Sequence, residues 1–128
     1  MKILDTTFLI DILRSKKEAV IFLENNDELF TTQINMYEVI EGLFSENTTK
    51  KKLLLTKELF EIIKVLSLDD RSIIKSAEIH ATLSKQGEMV DDLDCLIAGI
   101  ALTNNRPTIV TKNIKHFERI EGIKVESY

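Results

Sequence analysis

Apolar and polar positions along this chain fall into two periods. Short apolar runs at Met1–Leu4, Leu29–Thr32, Val65–Leu68 and Thr108–Val110, with a further one at Ile123–Val125, read as buried strands. Between them, apolar residues recur at helical spacing. Thr6–Arg14 predicts a short helix, and a second runs from about Lys16 to Asn25 with Ala19, Val20, Phe22 and Leu23 on its apolar side. Asn25-Asn26-Asp27 then predicts a turn. A helix through Tyr37 to Phe44 and another over about Lys50–Lys64, with Leu53, Leu54, Leu59, Phe60 and Ile63 in register, predict a two-helix arm. Asp69 or Asp70 is placed to cap a helix that runs to about Lys85 and ends at Gly87. A last long helix covers about Asp92–Asn104. Strands alternating with helices predict an α/β fold around a parallel sheet with right-handed crossovers.

Four polar residues break this pattern. Asp5 ends the first apolar run, Asn113 closely follows Thr108–Thr111, and Glu38 and Asp94 interrupt helical stripes. Ligands of an open parallel sheet bind beyond the carboxyl ends of its strands, where such groups converge. Each has an ordinary alternative. Asp5 can cap the helix beginning at Thr6, Asn113 can cap one over Ile114–Phe117, and Glu38 can be a solvated helix residue. Asp94 resists that treatment, because Ile97 and Ala101 place it on the stripe that faces the sheet, and a buried unpaired charge is expensive. Gly42, one turn beyond Glu38, clears space beside that carboxylate. Asp91 and Asp92 suit capping and the helix dipole, with Asp92 also a candidate for supporting the site, and Thr111 offers a hydroxyl two residues before Asn113. His80 and His116 are not at zinc-ligand spacing, and hard oxygen donors point to Mg²⁺ or Mn²⁺.

Composition narrows the setting. At 128 residues, with one proline, four glycines and no low-complexity stretch, the chain predicts a single domain over 1–128. Cys95 lies in an apolar stretch and reads as a small buried hydrophobe, consistent with a reducing cytoplasm. Neither a secretory leader nor a membrane span can be drawn. The formal charge of −4 argues against a charge-driven nucleic-acid binder, though not against an enzyme that meets nucleic acid through bound cations.

Four segments in this order, Leu4–Asp11, Glu38–Gly42, Asp94–Gly99 and Val110–Phe117, resemble the motifs of PIN-domain ribonucleases, most closely VapC-type toxins. The resemblance spans nearly the whole chain. It implies a three-layer α/β/α fold with a central, mostly parallel sheet of four to five strands. It also implies a Mg²⁺- or Mn²⁺-dependent endoribonuclease that leaves 5′-phosphate and 3′-hydroxyl ends, a homodimer, and inhibition by a cognate antitoxin. Carried over residue by residue, Asp5, Glu38 and Asp94 hold metal and Asn113 completes the acidic pocket, with Thr6 and Thr111 in support. Many family members have Asp where this chain has Asn113, which weakens the case for a second tightly held ion. The hypothesis is phosphodiester hydrolysis by metal-activated water, with Asp5 and Asp94 as principal ligands and Glu38 as water-mediated ligand or general base. Arg14, Lys16, Lys17, Lys112, Lys115 and His116 are candidate phosphate contacts at the rim, and Lys50-Lys51-Lys52 reads as a solvated helix start. An antitoxin would lay an apolar segment beside the arm and send a cation toward the acids. The alternatives are a PIN module with weak or no nuclease activity, and a phosphatase using Asp5. The second is disfavoured because Asp5-Thr6-Thr7 lacks a following acid.

Overall fold

The computed structural model describes residues 1–128. Five parallel strands, β1 (Lys2–Leu4), β2 (Leu29–Thr32), β3 (Lys64–Leu66), β4 (Thr108–Val110) and β5 (Lys124–Glu126), form one sheet in the order β3-β2-β1-β4-β5. Helices α1 (Thr6–Leu13), α2 (Lys17–Glu24), α3 (Gln33–Ser45) and α4 (Lys50–Ile62) fill the connections before β3. Helices α5 (Asp70–Lys85) and α6 (Asp92–Thr103) carry the chain from β3 across to β4, and the short α7 (Ile114–Phe117) precedes β5. No helix is long and apolar enough to cross a membrane.

Strand periodicity divides the core in two, because successive side chains of a strand point to opposite faces. Ile3 and Ile109, paired in register, pack with Ile79, Leu83, Ile97 and Ala101 of α5 and α6. Leu4 and Val110, the next pair, pack with Phe8, Leu9, Val39 and Phe60 of the opposite layer. The result is the expected α/β/α sandwich. β1 is its central strand, and Ile3 and Leu4 bury it on its two faces while Lys2 pairs with Glu126.

The strand order places the site. The chain adds β2 and β3 on one side of β1, then crosses to add β4 and β5 on the other. The crevice beyond the carboxyl ends of β1 and β4 is therefore the topological switch point, the place where open α/β sheets bind ligands.

Two boundaries differ from the sequence expectation in ways that matter. The third strand begins and ends earlier, at Lys64–Leu66 rather than Val65–Leu68, because Leu68 turns its amide to Gln33 and Asp69 caps α5 by accepting from Ser72 N. More consequentially, α3 starts at Gln33, immediately after β2, because the Thr32 hydroxyl accepts from Asn35 N and starts the helix there.

Helices α5 and α6 approach closely at Gly99, where an added Cβ would lie 2.0 Å from Ser76 Oγ and 2.7 Å from the Ser72 carbonyl oxygen. The small side chains of Ser72 and Ser76 are both buried there, and Ser76 Oγ donates to Ser72 O.

Candidate active site

Asp5 sits at the end of β1 and at the N-cap position of α1, but its side chain makes no capping hydrogen bond. Capping alone is therefore not its role. The carboxylate is only 4% exposed, yet each of its oxygens has a donor. Asn35 Nδ2 donates to Oδ1 at 3.0 Å, and Thr111 Oγ1 donates to Oδ2 at 2.7 Å. The Asp5 amide meanwhile donates to Val110 O, which ties the residue to β4. Thr111 follows β4, is fully buried, and accepts from Asn113 N at 2.9 Å.

Glu38 lies on α3, one turn after Asn35, and is half-buried. Thr6 Oγ1, from the first turn of α1, donates to its Oε1 at 2.9 Å, and Asn35 Nδ2 donates to Thr6 Oγ1 at 3.1 Å. Asp94 enters from the first turn of α6, with a side chain 14% exposed and Oδ2 3.0 Å from His116 Nδ1. Asn113 precedes α7 without capping it: its side chain is exposed and makes no capping hydrogen bond, while its backbone is held by Thr111.

The electrostatics show that the three acids share one region. Burial raises the Asp5 carboxyl above its ordinary value, outweighing the hydrogen bonds from Thr111 and Asn35. Burial also raises Glu38, and the charges of Asp5, Asp94 and Asp91 add to the shift. Asp94 is pushed up to about 6, mainly by burial and then by Asp5 and Asp91, with His116 pulling the other way. Desolvated acids that repel one another are a cation-seeking arrangement. No three acidic, histidine or cysteine side chains converge tightly enough to enclose an ion by themselves. That geometry suits a hard ion held by one or two carboxylates with water and substrate oxygens completing its shell, as Mg²⁺ commonly is.

Some sequence expectations fall elsewhere. Asp92 is not in the group. Its Oδ1 lies 3.2 Å from His80 Nε2 on the neighbouring helix α5, away from the acids. Asp91 caps α6 through Leu93 N, and it is Asp91 whose charge reaches both Glu38 and Asp94. Lys112 is not a free phosphate contact: its ammonium lies 3.1 Å from Glu18 and 3.4 Å from Asp11. His116 turns inward to Asp94. Asn35, which links Asp5 to Thr6, escaped the sequence reading altogether. Its available signal was Thr32-x-x-Asn35, a helix start directly after a strand.

Beside the acids, a groove of about 190 Å³ runs between α1, α3 and α4. Ile10, Leu13, Leu43 and Leu55 line it, with Glu38 and Gly42 sharing its wall. A Cβ at Gly42 would meet nothing within 4 Å, so this glycine leaves the groove open.

Comparison with known proteins gives a consistent result. The family profile of the PIN domain matches residues 2–123. A protein of Methanocaldococcus jannaschii named Ribonuclease VapC1 is 36% identical over 125 residues, covering 96% of this chain and 85% of that one. A Salmonella typhimurium protein named tRNA(fMet)-specific endonuclease VapC is 29% identical, covering 98% of this chain and 96% of its own. In the crystal structure of DNA-bound VapBC from Salmonella typhimurium, one chain superposes with a TM-score of 0.87 at 29% identity, covering 98% of this chain and 96% of that chain.

Proposed function

The chain belongs to the PIN-domain family, and from that premise we propose that it is an endoribonuclease and the toxin of a toxin–antitoxin pair, using Mg²⁺ or Mn²⁺ held by Asp5 and Asp94, with Glu38 as a water-mediated ligand or general base. The observation that carries the reading is the set of three desolvated, mutually repelling carboxylates at the switch point of the sheet. Three negative charges are nearly balanced by one divalent ion, and a phosphodiester would bring charge for a second.

A bound ion supplies neutralisation of the phosphate and a lowered pKa for the attacking water. The chain supplies the rest. Thr111 and Asn35 hold the Asp5 carboxylate from both sides, so its orientation does not depend on substrate. Thr6 occupies Oε1 of Glu38 and leaves Oε2 without a donor, placed to accept the proton of the attacking water. His116 orients Asp94, and the unengaged Asn113 carboxamide positions water or phosphate at the open side. Such pre-set donors and acceptors lower the reorganisation that the reaction requires.

The antitoxin reading rests on the groove beside Glu38, where Ile10, Leu13, Leu43 and Leu55 alternate with Arg14, Glu46 and Lys52 and the wall turns acidic at Glu38 where it meets the site. A partner segment fits it by burying apolar side chains and placing a cation against the acids. The relatives' names direct the first assays to transfer RNA. An RNA substrate also implies a cytoplasmic setting, and residues 1–128 act as one PIN-like unit in this reading.

The test compares wild type with Asp94→Asn for Mn²⁺-dependent RNA cleavage and for growth arrest on expression. Cleavage should fall by about 100-fold or more while the fold is retained. Undiminished cleavage by the variant would remove the proposed site.

A further inference from the structure

We infer that Asn35 is a positioning residue that sets the hydrogen-bond direction of the whole acidic site, holding Asp5 directly and Glu38 through Thr6. The inference rests on the nuclease reading above, and it stands on geometry that fixes every hydrogen in the chain of contacts.

The Thr32 hydroxyl oxygen accepts from Asn35 N at 3.2 Å, and its own hydrogen is directed to Asn35 Oδ1 at 2.7 Å. That contact determines which way the carboxamide faces. With Oδ1 turned to Thr32, Nδ2 presents its two hydrogens to Asp5 Oδ1 at 3.0 Å and Thr6 Oγ1 at 3.1 Å. The flipped amide would put an oxygen against a carboxylate with no hydrogen between them. Because Thr6 Oγ1 accepts from Asn35, its single hydrogen is left for Glu38 Oε1 at 2.9 Å. One buried amide therefore donates to one acid directly and to another through a hydroxyl.

Asn35 is fully buried on a helix that otherwise turns apolar residues inward, such as Val39. A polar side chain there is tolerated only because its oxygen and both amide hydrogens are paired, and a fully satisfied buried network is rigid. Outer partners that orient carboxylate ligands commonly change metal affinity 10–100-fold when removed.

The experiment uses Asn35→Leu, which keeps the number of side-chain heavy atoms but removes both donors, together with Thr6→Val and the double variant. Mn²⁺ affinity is measured by electron paramagnetic resonance without RNA, and kcat and KM are measured on a cleaved RNA. Asn35→Leu should weaken Mn²⁺ binding by about 10-fold or more and lower kcat with little change in KM. Thr6→Val should lose part of the same affinity, and the double variant should be no worse than Asn35→Leu alone, because both act along one path. Wild-type Mn²⁺ affinity and kcat in the folded single variants overturns the inference, and losses that multiply in the double variant overturn the route through Thr6. Should Asn35→Leu fail to fold, Thr6→Val alone decides by the same two measurements. Asp94→Asn serves as control: undiminished cleavage there removes the assigned acidic site, while Mn²⁺ affinity continues to judge Asn35.

Discussion

Protonation of single carboxyls couples this site to the stability of the fold. Asp5, Glu38 and Asp94 all have carboxyls raised by burial, Asp94 to about 6. The folded chain therefore holds protons that the unfolded chain has already released. For Asp94 the stabilisation this gives is fully present below about pH 4 and is lost as pH rises through about 6. Asp94 alone contributes on the order of 2–3 kcal/mol to that change. Metal-free protein should accordingly have a higher Tm near pH 4.5 than near pH 7 as far as these groups are concerned, and added Mn²⁺ should raise Tm more at pH 7 than at pH 5. A Mn²⁺ effect of equal size at both values would show that protons and cation do not compete for these acids. At this scale the sequence was partly legible. Asp5 and Asp94 declare themselves as carboxylates where apolar residues belong, whereas Asn35 looks like any polar residue near a helix start until the partners of its amide are known. Asp91 and Asp92 are adjacent and chemically alike, and only the rotation of α6 sends one toward Glu38 and the other toward His80.

Two glycines inside helices should respond to alanine with opposite signs. At Gly99 the new methyl would meet backbone atoms of α5 as well as Ser76 Oγ, and backbone cannot give way cheaply. Gly99→Ala should cost about 2–3 kcal/mol by forcing α5 and α6 apart. At Gly42 the space is empty, so Gly42→Ala should gain about 0.5–1 kcal/mol of helix stability while narrowing the groove beside Glu38. Denaturant unfolding of the two variants checks both signs, and equal signs would contradict the packing described. The helices and strands were readable because their periods differ, and their alternation gave the parallel sheet. What local pattern could not supply was the start of α3, since Gln33, Ile34 and Met36 carry no strong period before Tyr37 and only the Thr32 cap fixes the boundary.

At the scale of the molecule, apolar side chains remain uncovered on both helical layers: Tyr37 and Phe44 on α3, and Ile73 and Ile74 on α5, with Ile74 70% exposed. Covering such positions favours self-association, in keeping with the expected homodimer. Light scattering should return a mass near twice the 14.7 kDa of one chain, and a single-chain mass across the working range would remove the dimer. The parallel sheet has a last consequence, for synthesis. β1 is made first yet acquires β4 only after the intervening helices, and the Thr111 to Asp5 contact spans 106 residues. At roughly 5–20 residues per second, about 5–20 s of translation separate the two. The groove proposed for the antitoxin is built from α1, α3 and α4, all emerging before α5 begins. In the toxin reading proposed for this chain, every residue lining that groove is therefore synthesised before Asp94 and Thr111, which complete the acidic site.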